Sequence, residues 1–452
     1  MLKHVNEINT THTDVDFSDI ELNIKDAAWP APFPSQLEYS PLVRGTWNIV
    51  HTGMLIPEAH QIFICAAGCL RGVVLTAAEM NATDRFSTIE VQEEHLYDGS
   101  LEYLAIDGVT DILERLPYKP KAVLLFTNCL HHFAGCDLDM IYRELRNQHP
   151  DIDFTDCYMN PIMRKSGLTP DQLMRSRLYM LLHEREKNPN AVAIIGNDLA
   201  TRKDSELYCF LKDNGYKIHE ITACKNYEEY QEMAESSYYI SYYPSAIAGG
   251  DMLAERLGGK HIPLNLSFDY AEIRASLELL DSILDTGQIH ILPDFDAKVA
   301  ECEAAISKTH ELIGDREIVI DYTYCVRPLG LAKLLLSHGF NVTTIYTDGF
   351  NGPDRPDYDY LVSNHPELKI LPTINVKMRY YTPKEESDCI AIGQKGAYFR
   401  NTPHFVNAVE GDGMFGYEAI KQTMTHIKDA FLTKKETKDL VGRKGLGCES
   451  CI

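Results

Sequence analysis

Lys121-Ala122-Val123-Leu124-Leu125-Phe126-Thr127-Asn128-Cys129-Leu130-His131-His132-Phe133-Ala134-Gly135-Cys136-Asp137 decides how this chain is read. An unbroken apolar run with no polar face marks a strand buried on both sides, as in a parallel sheet. It gives way at once to a turn carrying two cysteines, two histidines and a glycine. Earlier in the chain the arrangement occurs once before. There His60-Gln61-Ile62-Phe63-Ile64 reads as a strand and Cys65-Ala66-Ala67-Gly68-Cys69 as the turn after it. In an open α/β sheet, ligands gather just beyond the C-termini of the strands. Thiolates brought together there, beside glycines that admit close approach, suit an iron–sulfur cluster. Turns on neighbouring parallel strands lie about 5–10 Å apart. The candidate ligands are therefore Cys69 and Cys129, with Cys65 and Cys136. Cys65 stands nearest its strand, where a free thiol also packs as a small hydrophobe.

The whole chain agrees with a reduced, soluble setting. Twelve cysteines in 452 residues are better explained as thiols and metal ligands than as a disulfide framework. No apolar run reaches the length of a membrane span. The first residues, Met1 to Asp26, are polar and acidic and lack a signal-peptide pattern. A cytoplasmic location is the expectation. A net charge of −23 argues against nucleic acid or an anionic membrane as partner and permits a basic-faced protein.

Outward from the two turns, short β runs alternate with helical periods, which predicts parallel sheets joined by right-handed crossovers. The expected fold class is α/β, with three consecutive Rossmann-like domains. An N-terminal arm occupies residues 1–40, where the prolines of Trp29-Pro30-Ala31-Pro32-Phe33-Pro34 deny helix or central strand. Domain 1 covers 41–187, with helical pattern from Arg71 onward to Leu116 and a closing amphipathic helix from Pro170 to Glu186. Domain 2 covers 188–314 and domain 3 covers 315–432, the latter with an extended piece at 373–380. A tail at 433–452 ends in Cys448-Glu449-Ser450-Cys451.

Other constellations are read beside their plainer meanings. His131 and His132 follow Cys129 and are positioned to hydrogen-bond to a cluster or to accept protons beside it; surface or interface roles are the commoner use. Cys448 and Cys451 have the spacing of metal and dithiol motifs, at a chain end where cysteines are also incidental. Gly393-Gln394-Lys395-Gly396 after a strand resembles a loop that cradles an anion with backbone N–H groups, without a full phosphate-binding pattern. Cys157, Cys209, Cys224, Cys302, Cys325 and Cys389 are scattered singly and read as packing residues. No nucleophile elbow and no zinc-protease motif is present.

These residues resemble component 1 of nitrogenase and its relatives. Gly68-Cys69 is similar to that family's Gly-Cys turn after a strand. Cys129, with Gly135, Asp137 and Asp139, is similar to its Cys-x-x-x-x-x-Gly-x-Asp segment. Gly258-Gly259-Lys260-His261-Ile262-Pro263 resembles the family's turn into a strand of the second domain. Cys389 to Lys395, followed by Gly411-Asp412-Gly413-Met414-Phe415-Gly416-Tyr417-Glu418, resembles its third-domain signature. The resemblance spans roughly residues 40 to 430.

It implies a nitrogenase-like oxidoreductase subunit. Low-potential electrons would come from an ATP-dependent iron–sulfur reductase like the nitrogenase iron protein. They would enter through an interface cluster, [4Fe–4S] or P-cluster-like, and reduce a small molecule not yet identified. A homodimer or a sister component 1-like subunit would complete the cluster. The alternative is a scaffold or carrier for metal-cluster assembly without catalysis of its own. The departures matter as much. No cysteine precedes Cys65, so Cys65 or Cys136 would stand in for an upstream ligand. The stretch Tyr238-Tyr239-Ile240-Ser241-Tyr242-Tyr243-Pro244-Ser245 has no cysteine where the family holds its catalytic cofactor, and a FeMo-type cofactor is not expected. His404 stands near the family's late histidine ligand. Tyr242 and Tyr243 are candidates to line a substrate cleft, or to pack as ordinary strand residues.

Overall fold

The structure, a computed structural model, describes residues 15–34, 38–39, 41, 43, 48–160, 168–284, 290–381 and 385–437. The chain divides into two compact units. One comprises Thr46–Ala300 with Asp412–Ala419; the other contains the N-terminal segment, Glu301–Gly411 and the chain from Ile420. Strand β1 (Leu22–Asn23) belongs to the second unit and is described with it below.

The first unit holds two four-stranded parallel sheets. Strands β2 (Ala59–Cys65), β3 (Phe86–Glu90), β4 (Ala122–Asn128) and β5 (Asp153–Met159) stand in the order β3-β2-β4-β5. All seven residues of β2 and all seven of β4 are buried, which is why both read as continuous apolar runs. Their centre is the stacked pair Phe63 and Phe126, with ring centroids 4.0 Å apart. His60 lies inside this sheet and is satisfied on both nitrogens, 2.8 Å from Tyr118 Oη and 2.8 Å from Ser87 Oγ.

The helices Leu101–Arg115 and Leu138–Gln148 pack on one face of this sheet. Ala67–Glu79 and Pro170–Arg177 pack on the other. From β2 the chain steps one way to β3, then back across β2 to β4 and on to β5. The reversal falls between β2 and β4.

Strands β6 (Asn188–Ile194), β7 (Lys217–Glu220), β8 (Ser236–Ser241) and β9 (Lys260–Pro263) repeat the pattern in the order β7-β6-β8-β9. One apolar cluster, including Phe63, Phe126, Leu178, Tyr230 and Tyr239, runs through both sheets.

The second unit contains β10 (Ile318–Asp321), β11 (Val342–Tyr346), β12 (Lys369–Leu371), β13 (Ile390–Ile392) and β14 (Phe405–Val406). The order is β1-β12-β11-β10-β13-β14, with the reversal between β10 and β13. The strands are parallel except at one edge, where β1 pairs antiparallel with β12. The N-terminal arm thus supplies an edge strand. It is fastened by Trp29 stacked on Phe350 at 5.5 Å and by the Tyr358 hydroxyl, which donates to the Ala27 carbonyl.

Several local readings are corrected. Strand β3 falls in a stretch expected to be helical. Its edge position leaves Phe86-Ser87-Thr88-Ile89-Glu90 with a single buried residue, Ile89, too weak a signal to register. The helix from Pro170 stops at Arg177 rather than Glu186. Leu178, Tyr179, Leu181 and Leu182 beyond it are buried in the shared core and supplied the misleading apolar pattern. The extended piece expected at 373–380 lies earlier, at β12, and Val376–Tyr380 is a 3-10 helix. Short β14 was also missed. Among the described residues no helix is long and apolar enough to cross a membrane.

Candidate functional site

The carboxyl ends of β2 and β4 meet at the reversal point of the first sheet, the place where open α/β sheets take their ligands. The strands pair Phe63 with Phe126. Continuing that register by two residues sets Cys65 level with Asn128, so Cys129 follows immediately beyond. Neighbouring strands lie about 4.8 Å apart.

Cys65 is the last residue of β2 and is fully buried. Its thiol is pushed up to about 12, first by burial and then by the neighbouring Cys69 and Cys129 thiols. The Cys65 sulfur therefore stands close enough to both to feel their charge. Cys69 lies in the first turn of Ala67–Glu79, its N–H donating to the Ala66 carbonyl at 2.9 Å, and is exposed. Gly68 beside it would meet nothing within 4 Å if it carried a Cβ, so space is open on that side.

Cys129 is half-buried and opens a short helix, Cys129–Ala134. Asn128 caps that helix, its Oδ1 accepting from the Leu130 N–H at 3.2 Å. Gly135 ends it in the left-handed region with φ of 65°, a conformation that favours glycine.

Cys136 is turned elsewhere. Its thiol hydrogen-bonds to Glu102, and burial followed by that carboxylate pushes it up to about 12. Glu102 also accepts the Asp137 N–H at 2.9 Å. The two histidines diverge as well. His132 is exposed, whereas His131 is only 2% exposed, its Nδ1 3.1 Å from Asn128 Oδ1 and its ring held neutral chiefly by burial.

The donor set fits one kind of group better than another. Among the described residues no three His, Cys, Asp or Glu side chains converge tightly enough for a single metal ion. The Cys65 thiol nevertheless feels both Cys69 and Cys129 electrostatically. Thiols gathered but not touching suit a polynuclear iron–sulfur cluster, whose own iron and sulfide atoms bridge between soft ligands.

The remaining candidates fall apart from this trio. Tyr242 and Tyr243 are 1% and 3% exposed. The Tyr242 hydroxyl meets Thr201 Oγ1 at 3.0 Å, and the Arg175 guanidinium lies 5.6 Å from the Tyr243 ring centre. Arg175 in turn pairs with Asp198 at 2.8 Å. This network of the chain's own side chains fills the reversal point of the second sheet. His404 is half-buried in the other unit, its Nδ1 donating to the Ala430 carbonyl at 2.9 Å. Cys448 and Cys451 lie outside the described residues.

The glycine loop after β13 does cradle an anion, and the anion is internal. The Gly396 N–H donates to Asp321 Oδ2 at 2.7 Å and the Thr323 N–H to Asp321 Oδ1 at 2.8 Å. Lys395 is buried beside them, donating to Tyr322 Oη at 2.6 Å and Thr373 Oγ1 at 2.9 Å. Sequence reasoning missed Asn128 and Glu102. The position of Asn128 just before a helix opening was the available signal; nothing in the sequence ties Glu102 to Cys136.

Comparison with known proteins agrees with this architecture. Residues 50–432 match the family described as nitrogenase component 1 type oxidoreductase. A solved structure titled "Nitrogenase Cp1 at pH 6.5" is similar with a TM-score of 0.65 and 14% identity, over 88% of this chain and 94% of that one. A second, "Nitrogenase Cp1 at pH 5", is similar with a TM-score of 0.52 and 11% identity, over 88% and 91%. No curated protein matches. At such identities the structures speak for the fold alone, while the match across most of the chain settles kinship: this protein belongs to the nitrogenase component 1 type oxidoreductase family.

Proposed function

We propose that this chain is a nitrogenase-like reductase subunit in which Cys65, Cys69 and Cys129 hold an iron–sulfur cluster, [4Fe–4S] or P-cluster-like. The observation that carries this reading is the placement of Cys65, Cys69 and Cys129 at the strand ends and helix openings of the first sheet's reversal point, with both other thiols close enough to act on Cys65. A cluster bound there supplies low-potential, single-electron transfer. The chain's own part is to fix the thiols on two rigid strand ends and to keep one of them, Cys65, out of water.

Three thiols fall one short of the four that a cubane takes, which favours a ligand from a second copy or a sister subunit. Val74 and Leu75, on the helix that carries Cys69, are 41% and 53% exposed. Phe133, on the helix that carries Cys129, is 71% exposed. Exposed apolar residues on both thiol-bearing helices suit coverage by another chain. The electron donor in this reading is an ATP-dependent iron–sulfur reductase, and the electrons pass to a small molecule. The absence of a thiol from 238–245 and the burial of Tyr242 and Tyr243 favour a reaction that uses no FeMo-type cofactor.

Exposure of Cys69 also favours a second reading, in which the same site assembles a cluster and hands it on. Incubation with the partner ATPase and ATP separates the two. A reductase keeps its iron and is oxidised by substrate, whereas a scaffold loses its iron to an acceptor protein.

Anaerobic reconstitution with iron and sulfide tests the site itself. Cys69→Ala and Cys129→Ala are expected to retain less than about a tenth of the wild-type iron, with loss of the cluster's EPR signal. Cys136→Ala is expected to keep both. Full iron in Cys129→Ala would overturn the assignment.

A further inference from the structure

We propose that a groove at the amino edge of the first sheet binds a small, flat, uncharged molecule carrying a hydrogen-bond donor, phenol being the simplest example. Its lining comes from the end of the helix Leu101–Arg115, the residue after the helix Leu138–Gln148, and the segments that lead into β4 and β5. The volume is about 370 Å³, within the range of small-molecule sites. The thiols stand at the other edge of this sheet. Strand β4 covers Ala122–Asn128, which puts about 20 Å between its two ends.

The walls suit an apolar ring. Leu113, Leu116 and Ile152 line the groove together with Pro117 and Pro120, and proline has no N–H to offer. Tyr118 also lines it, but the Tyr118 hydroxyl is already spent. It donates to the Asp84 carbonyl at 3.0 Å and lies 2.8 Å from His60 Nδ1.

One acceptor is left in this apolar setting. His149 lines the groove and is half-buried, its ring centre 6.2 Å from that of Phe154. His149 Nε2 lies 3.1 Å from Thr110 Oγ1, and Thr110 donates its hydroxyl proton to Gln148 Oε1 at 3.1 Å. A hydroxyl has a single proton to give, so Thr110 Oγ1 accepts from His149. The imidazole proton therefore sits on Nε2 and leaves Nδ1 as a lone pair. Burial first of all holds the ring below its ordinary value, which keeps it neutral at pH 7. Nδ1 has no partner among the described residues and, unlike His131 Nε2, is not sealed from solvent. With Nε2 turned to Thr110, Nδ1 is the ring atom open to a ligand's O–H or N–H.

Charge works against ions. Lys119 is already paired with Asp151 at 2.8 Å. Exposed Glu114 lines the groove close enough to act on His149, which turns anions away. For a cation, an exposed carboxylate adds little.

This inference does not rest on the cluster, and its test needs no iron. Ligand-observed saturation-transfer NMR on the full chain, with phenol as probe, is expected to show millimolar binding. Anisole, with the same ring and no donor, should bind about three- to tenfold more weakly. Benzoate and benzylammonium should bind at least about tenfold more weakly than phenol. His149→Phe should abolish the preference for phenol over anisole, with circular dichroism as the check on folding. The wild type gives an independent reading. Long-range proton–nitrogen NMR on isotope-labelled histidine should show His149 as the Nε2–H tautomer, with its Nδ1 signal shifting when phenol is added. The proposal is overturned if anisole, benzoate or benzylammonium binds as well as phenol, or if no transfer appears at about 20 mM phenol. It is equally overturned if His149 carries its proton on Nδ1, or if His149→Phe keeps the preference.

Discussion

Asn128 and Cys129 are consecutive, yet one caps a helix with its side chain and the other lies near the Cys65 thiol. The chain passes there from strand into helix, so the two side chains take different roles. At this scale the sequence was informative about element types and silent about partners. Cys129 and Cys69 stand out as candidates because they follow apolar runs. The diversion of Cys136 toward Glu102 was invisible, because that carboxylate lies 34 residues upstream on another helix. His60 gives a prediction of a different kind. Burial first, and the Arg85 cation second, hold its ring down to about 4, against an ordinary value near 6.5. The unfolded chain therefore takes up a proton that the folded chain refuses. The stability contributed by neutral His60 is complete above pH 6.5 and lost as pH falls through 6.5 toward 4, by about 3 kcal/mol. Urea midpoints at pH 7.5 and 5.0 should converge in His60→Gln by up to one proton's worth of slope. An unchanged difference between the two pH values would show that His60 is not responsible.

At the scale of elements, the three reversal points tell the sheets apart. In the first sheet the crevice presents thiols; in the second it is closed by Arg175, Asp198, Tyr242 and Tyr243; in the third it holds the Asp321 carboxylate. The buried apolar strands made the alternation of β and α readable, and with it the fold class. Edge elements escaped, as β3 and β14 did, because a strand with one neighbour buries too little to leave a pattern. What filled each crevice was equally hidden, since the glycine loop after β13 reads the same whether its anion is a ligand or Asp321. Gly393 has φ of 120° and faces the Asp321 carboxylate. Gly393→Ala is expected to cost about 2–4 kcal/mol in urea unfolding. Gly352→Ala, with nothing within 4 Å of its Cβ, should stay within about 0.5 kcal/mol of wild type.

For the whole molecule, the proposed function would make assembly and cofactor retention one question, since Phe133 is exposed on the helix that Cys129 opens. Light scattering should show Phe133→Glu shifted to a smaller species, at least tenfold weaker in self-association or in binding its sister subunit. Iron content after reconstitution should fall with it; an unshifted mass with full iron would place the contact elsewhere. The second unit carries a quieter lesson at its rim. Strand β1 covers the outer side of β12, and it lies upstream of the residues that match the family. A chain begun at residue 50 would keep every candidate ligand and still leave the amides and carbonyls of β12 unsealed. Bare strand rims recruit other strands, so such a shortened protein would be prone to stick to itself, and its precipitation would say nothing about iron.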